Sequence, residues 1–287
     1  MKRCLACSAA YDGGGWRCPS CGHEPAFSER IVLHAPDLAE GDGTDADYPI
    51  DDLVNAERSH FWFRNRAALI ASVLTAHFPG ARSFLEIGAG AGGVLLSIQD
   101  RSRSIRLAGS ELLLRALREA RKRLADVELI QMDARRIPFV SEFDAIGAFD
   151  VIEHIDDDAA VLGQIREALR PGGGLVVTVP QHPWLWSAFD EFSGHRRRYT
   201  RGELIAKIEA AGFDLVRVTS FTSFVLPILA AARLRRRNRR IDFARELAIP
   251  NMLNQVLLRV GQVERAAIRA GVSFPAGGSL LAVGVRR

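Results

Sequence analysis

From Ser83 onward, short apolar runs alternate with segments whose apolar residues recur at helical spacing, the pattern of a parallel sheet covered by helices on both faces. The runs predict strands over 83–87, 104–110 and 127–132, a fourth from Phe143, a fifth over 175–179 and a sixth over 214–219. Helices are predicted between them, over 94–99, 112–124 and 158–170. The last of these places Val161, Leu162, Ile165 and Leu169 on one face and stops at Pro171-Gly172-Gly173-Gly174. Thr200-Arg201-Gly202-Glu203 is a capping box that starts a further helix, closed at Ala211-Gly212. Upstream, 51–78 reads as one helix carrying Leu53, Phe61, Leu69, Val73 and Leu74. Downstream, helical stretches at 221–232 and 245–270 precede a final apolar strand at 279–285.

Residues 35–47 are rich in Asp and Gly and lack apolar periodicity, which marks a linker. The chain therefore divides into a module at 1–25, a linker over 26–50, a helical cap over 51–80, a core over 81–220, a helical insertion over 221–270 and a last core strand in 271–287. With 287 residues, 48% of them hydrophobic and 25% charged, it can bury one large core and carry a small appendage. The net charge of +4 comes without an extended basic groove interleaved with aromatics, so nucleic acid is not expected as a partner.

All four cysteines fall in two pairs near the start, Cys4-x-x-Cys7 and Cys18-x-x-Cys21. The rest of the chain holds no disulfide framework, which favours a reducing compartment. Four thiolates at this spacing suit tetrahedral zinc, with the ten intervening residues folding as a hairpin in a small zinc-ribbon-like module. A closed four-sulfur site of this kind serves as a structural staple or as a docking face. The start carries no apolar run of signal-peptide type, and 221–232 is shorter than the roughly 18 residues that cross a bilayer. A cytoplasmic protein is expected.

The chemistry concentrates in Ser83-Phe84-Leu85-Glu86-Ile87-Gly88-Ala89-Gly90-Ala91-Gly92-Gly93, a strand ending in an acid, then a glycine turn, then a helix start. Glycines let the backbone approach a ligand closely, and a helix start offers free N–H groups. Gly88, Gly90 and Gly93 satisfy G-x-G-x-x-G, and Glu111 lies near the distance at which dinucleotide enzymes place a ribose-binding acid. Spacing alone thus leaves a nicotinamide cofactor open. Glu86 discriminates, because a carboxylate on an apolar strand is costly to bury unless a partner such as a cofactor ammonium satisfies it.

Leu85-Glu86-Ile87-Gly88-Ala89-Gly90-Ala91-Gly92 resembles the first motif of the class I S-adenosylmethionine (SAM) dependent methyltransferases. Asp133-Ala134 after the third strand, the stretch from Phe143 to Ile155, and Leu169-Arg170-Pro171-Gly172-Gly173 resemble later motifs of that family in the same order. The resemblance covers roughly 83–219. It implies a Rossmann-like α/β fold with a seven-stranded, mostly parallel sheet whose last strand is antiparallel, here joined by the zinc ribbon and by the helical insertion before that strand. It further implies SAM in a cradle of Glu86, Gly88, Ala89, Gly90 and Gly92, with Glu111 and Leu112 at the ribose, Asp133 and Ala134 at the adenine, and Phe149 at the end of the fourth strand. His60-Phe61-Trp62-Phe63-Arg64-Asn65-Arg66 fits a lid over the cofactor, with Arg66 on its carboxylate, or an aromatic anchor on the core.

Methyl transfer from a sulfonium is an in-line displacement, in which holding the acceptor in position is the main requirement. A hydroxyl acceptor is helped by a base, and His154 and His195 are the candidates. Asp150-x-x-Glu153-His154 also resembles the acid-x-x-Glu-His run of the ubiquinone-biosynthesis O-methyltransferases, which implies a divalent cation near Asp150, Glu153 and His154. The aromatic and titratable loop over 180–199 is where substrate recognition is expected, and Arg196, Arg197 and Arg198 offer contacts for a phosphate or carboxylate. The apolar 221–232 stretch and the arginine run after it suit either packing on the sheet or peripheral contact with the inner membrane face through 221–240. The function expected is methyl transfer from SAM to a small-molecule or lipid-linked acceptor, at oxygen. An NAD(P)-dependent oxidoreductase and a non-catalytic zinc-ribbon adaptor with a vestigial SAM fold are the alternatives.

Overall fold

A computed structural model of the protein describes residues 1–40, 49–235 and 248–287. Part of the expected linker, most of the arginine run and the start of the second insertion helix lie outside the described residues. The N-terminal part contains β1 (Lys2–Arg3), β2 (Ala10–Tyr11), β3 (Ala26–Ser28) and β4 (Ile31–Leu33), followed by α1 (Ile50–Ser59) and α2 (Phe61–His77). The alternating part runs β5 (Ser83–Ile87), α3 (Gly93–Arg101), β6 (Arg106–Glu111), α4 (Leu114–Arg123), β7 (Glu128–Gln131), β8 (Phe143–Phe149), α5 (Asp158–Ala168) and β9 (Leu169–Pro180). Then come α6 (Ala188–Phe192), α7 (Arg201–Ala210), β10 (Phe213–Phe221), α8 (Leu226–Arg235), α9 (Asn251–Arg269) and β11 (Ser279–Arg286).

The main sheet has the order β10-β11-β9-β8-β5-β6-β7-β4-β3. Strands β5 to β9 pair in parallel and β11 runs antiparallel between β9 and β10, as the resemblance implied. Every residue of β5 is buried, because helices cover both faces of a parallel sheet; this is why such strands read as apolar runs. The strand order reverses between β5 and β8, and in open α/β sheets the crevice beyond the carboxyl ends at that point is where ligands bind.

The sheet is two strands wider than expected. Residues 26–33 are not linker: β3 and β4 form a hairpin, and β4 pairs in parallel with β7, setting Val32 beside Ile130. Ile31 and Val32 are buried against an edge that would otherwise expose its backbone groups. The cysteine module is likewise joined to the core. Arg3 N–H donates to the Pro138 carbonyl at 3.0 Å, and Trp16 sits in the main apolar cluster, edge-on to Phe139 at 5.5 Å.

The helix expected over 51–78 is broken at His60, whose extended backbone (ψ 133°) separates α1 from α2. The His60 imidazole Nδ1 accepts from Trp62 N–H at 3.3 Å, and burial pushes its pKa down to about 4, keeping the ring neutral and able to accept. The predicted 158–170 helix stops at Ala168, and the glycine run after Pro171 belongs to the long strand β9. Helix α9 packs on α2, where Asn254 Oδ1 accepts from Phe61 N–H at 2.8 Å and Asn65 donates to the Leu258 carbonyl at 3.2 Å. The insertion thus covers the ligand side of the sheet. Among the described residues, no helix is long and apolar enough to cross a membrane.

Candidate active site

A cavity of about 1540 Å³ opens over the carboxyl ends of β5, β6, β7 and β8. Ligand pockets commonly measure about 300–1,000 Å³, so there is room for a cofactor and a second molecule. Glu86, Gly88, Ala89, Gly90, Glu111, Leu112, Asp133, Ala134 and Phe149 all line it. Gly92 does not. A Cβ there, at φ +86°, would meet Leu124 Cδ1 at 2.5 Å, so packing against the end of α4 accounts for this glycine. At Gly90 (φ +53°) a Cβ would meet only Leu53 Cδ2, at 3.9 Å.

Glu86 is 2% exposed and its Oε2 has no hydrogen-bond partner. Burial holds its carboxyl well above the usual range; Arg66 opposes this, and Glu57 and Glu111 add to it. A buried carboxylate oxygen without a donor is the feature a cofactor ammonium would satisfy. Glu111 is differently placed. Its Oε2 accepts from Gly90 N–H at 3.0 Å and its Oε1 from Leu112 N–H at 2.7 Å, which fixes the acid against the glycine turn. Asp133 accepts from the Arg135 guanidinium at 2.7 Å and from Arg135 N–H at 2.9 Å; burial would raise its pKa, but Arg135 lowers it below the ordinary value.

Arg66 turns toward the strand-four end. It pairs with Asp150 at 2.5 Å and donates to the Phe149 carbonyl at 2.6 Å. The Asp150 carboxylate is therefore engaged, and Asp150 is not among the residues whose donor atoms converge. Those are Glu153, His154 and His195, with donor atoms all within 4.8 Å of one another. Of the residues implied for a cation, Glu153 and His154 are brought together with His195 in a group that could hold one, and Asp150 is not.

The two histidine rings meet edge-to-face at 4.8 Å, although 41 positions separate them (195 − 154). The accessible part of His154 faces the cavity. Burial by the surrounding walls and the neighbouring His195 push its pKa down, so it is a neutral acceptor at pH 7. His195 Nδ1 lies 3.0 Å from Asp190 Oδ1, which leaves Nε2 directed toward Glu153 Oε1 at 4.0 Å. Asp190 is fully buried and also accepts from Arg198 Nε (2.7 Å), Arg233 Nη1 (2.7 Å) and Ser187 N–H (2.9 Å). Burial would raise its pKa, but His195 and the two guanidiniums hold it well below the carboxylate range. A carboxylate fixing one imidazole nitrogen leaves the other free as a base or a metal ligand.

Sequence reasoning missed the roles of Asp190 and Glu57, and named Glu153 only as a ligand of the implied cation. Asp190 is the hub of the acceptor side, and the Asp190-x-x-x-x-His195 spacing on one loop was its available signal. Glu153 is 0% exposed with both carboxylate oxygens unpartnered, and burial, reinforced by Asp150, raises its pKa well above normal. Glu57 of α1 pairs with Arg123, which also donates to the Ala91 carbonyl at 2.8 Å and so ties the cap to the glycine turn. Nothing local in the sequence marks that pair.

The strand order, the glycine turn and the buried acid define a doubly wound nucleotide-binding domain. A family model described as a methyltransferase domain matches residues 54–218. The chain belongs to the class I SAM-dependent methyltransferases. It is 28% identical over 157 residues to a trans-aconitate 2-methyltransferase from Azoarcus sp. (strain BH72), a match covering 54% of this chain and 60% of that relative. Among solved structures, a chain from the complex of the Haloferax volcanii Trm112 methyltransferase activator with a methyltransferase aligns at TM-score 0.55 and 21% identity, over 85% of this chain and 96% of that one. Phosphoethanolamine N-methyltransferase 2 of Haemonchus contortus in complex with SAM aligns at 0.52 and 19%, over 78% of this chain and 52% of that one. At these identities the structural likeness concerns the fold.

Proposed function

We propose that the protein transfers the SAM methyl group to a hydroxyl of a small-molecule or lipid-linked acceptor held against His154 and His195. The observation that carries this reading is His195, held by the buried Asp190, on the same cavity as the unpartnered Glu86 carboxylate. Glu86 would take the cofactor ammonium, Glu111 the ribose, Asp133 the adenine amine after exchanging Arg135, and the Gly88-Ala89-Gly90 turn the close backbone approach. The curated relative is named for a small molecule, trans-aconitate, which supports a small acceptor. A screen of metabolites and lipids for a SAM-dependent gain of one methyl tests it; transfer to protein or nucleic acid alone would refute it.

Two metals belong to this reading. In the cysteine module the Cys4–Cys21 and Cys7–Cys18 sulfurs lie 3.6 and 3.7 Å apart. Tetrahedral zinc with bonds of about 2.3 Å needs sulfur separations of about 3.8 Å, so the donors fit zinc as a structural ion. Glu153, His154 and His195 fit a divalent cation through the unpartnered oxygens of Glu153; such an ion would supply Lewis acidity toward an acceptor oxygen. Peripheral membrane contact remains part of the proposal. Phe224 and Ile228 are exposed and precede the arginine run in the sequence, and sedimentation with anionic vesicles tests it.

Glu86 gives a pH prediction. Its raised pKa favours the protonated acid, whereas an ammonium partner requires the carboxylate, so cofactor binding below that pKa releases a proton. Affinity for S-adenosylhomocysteine should rise with pH until it passes the raised pKa and then level off. Glu86→Gln should bind more weakly and without that pH dependence; calorimetry in buffers of different ionisation enthalpy reads the proton directly. With an acceptor from the screen, His195→Gln should lower kcat by about 10²–10⁴-fold and leave cofactor affinity unchanged. An unaltered kcat would remove His195 from the chemistry.

A further inference from the structure

The three arginines at 196–198 have separate fates. Arg197 bonds to Asp158 at 3.2 Å and to the Asp156 carbonyl at 3.0 Å, and Arg198 is buried on Asp190 and on the Gln181 carbonyl. Arg196 is held through its backbone, whose N–H donates to the Glu153 carbonyl at 2.8 Å. Its exposed guanidinium lies on the cavity wall and has no hydrogen bond or ion pair among the described residues.

The acids on that side do not neutralise it. Asp190 is shared by two guanidiniums and His195, and Asp150 is paired with Arg66. Asp156, also on the wall, lies 3.6 Å from Arg197. The nearby acids are thus engaged by other cations, and a guanidinium with free donors matches a carboxylate or phosphate. The same cavity is apolar along the insertion and the cap, where Phe61, Val225, Ile228, Leu229, Leu253 and Leu257 line it. Its volume leaves space for an elongated molecule beside the cofactor.

We propose that Arg196 anchors an anion subsite, and that the acceptor is an amphiphile whose carboxylate or phosphate meets Arg196 while its apolar body lies along α8 and α9. This rests on the reading of the cavity as the acceptor site. Dodecanoate and dodecyl phosphate, below their micellar concentrations, serve as probes, with dodecanol and dodecyltrimethylammonium as controls. Each is titrated into the full chain by calorimetry, with and without S-adenosylhomocysteine. The anions should bind more tightly than either control, and Arg196→Gln should weaken the preferred anion about tenfold while leaving dodecanol and S-adenosylhomocysteine unchanged. Preference for the carboxylate or for the phosphate supports the subsite and identifies its source. Equal affinity of wild type and Arg196→Gln for both anions, or controls that bind as tightly as the anions, overturns it. Failure of wild type to bind S-adenosylhomocysteine would instead overturn the cofactor reading, and the amphiphile titrations would register that separately.

Discussion

Gly90→Val is expected to lower affinity for S-adenosylhomocysteine by at least about 100-fold, close to 3 kcal/mol, in a protein that still folds. Two effects act together. At φ +53° a β-branched residue is strained, and relaxing the strain moves the Gly90 N–H that donates to Glu111 Oε2 at 3.0 Å. The new side chain would also stand in the cavity, since only Leu53 lies within 4 Å of its Cβ, where the cofactor is to pass. The same openness limits the damage to folding, because no packed neighbour must move. Gly92→Val supplies the contrast: its Cβ would strike Leu124, just beyond α4, so it should cost stability first. Calorimetry and thermal melts on both variants separate the effects. Near-normal affinity in folded Gly90→Val would contradict the placement of the cofactor.

What could be read from the sequence follows the range of the interactions involved. Strand β5, its glycine turn and the start of α3 depend on neighbours within a few residues, so apolar run, acid and glycines announced them in order. The antiparallel β11 was readable through the family resemblance and its apolar length. The β3–β4 hairpin was not: each strand has three residues, and what makes them strands is the edge of β7, about 100 positions later (129 − 31 = 98). The break at His60 was hidden because helical periodicity continues across it, while its extended backbone and the cap bond to Trp62 N–H make two helices of one. Gly92 looked like part of the ligand turn because it follows Gly88 and Gly90 in one glycine run, whereas its reason for being glycine comes from Leu124. Asp190 acquires its role from His195 nearby and from Arg233 on α8, 43 positions away (233 − 190), a convergence that no window of sequence contains.

Removing metal from the cysteine module is expected to lower the melting temperature by roughly 10 °C, and to weaken cofactor binding although the module lies outside the cavity. Cys4 and Cys18 are buried, and between the pairs Trp16 packs on Phe139 and His34. If the four thiolates lose their ion, the loop carrying Trp16 loses its closure. Withdrawing one large aromatic from a core costs about 3–5 kcal/mol. At about 2–4 °C per kcal/mol for a chain of this size, that gives the stated shift. The route to the cofactor is continuous. After β4, His34 N–H donates to the Gln131 carbonyl at 2.8 Å, and Gln131 Nε2 donates to the carbonyls of Ala35 (2.7 Å) and Leu112 (2.9 Å). Leu114 N–H donates to the Ala39 carbonyl at 2.9 Å, and Leu38 lines the cavity beside Leu112. Loosening β4 therefore loosens the wall assigned to ribose and adenine. Chelation of the full chain and Cys18→Ser should give the same three changes: a lower melting temperature, red-shifted tryptophan emission that Trp16→Phe removes, and weaker S-adenosylhomocysteine binding restored by zinc in the chelated wild type. A chelated protein with unchanged melting and emission would show that the four cysteines hold no structural ion.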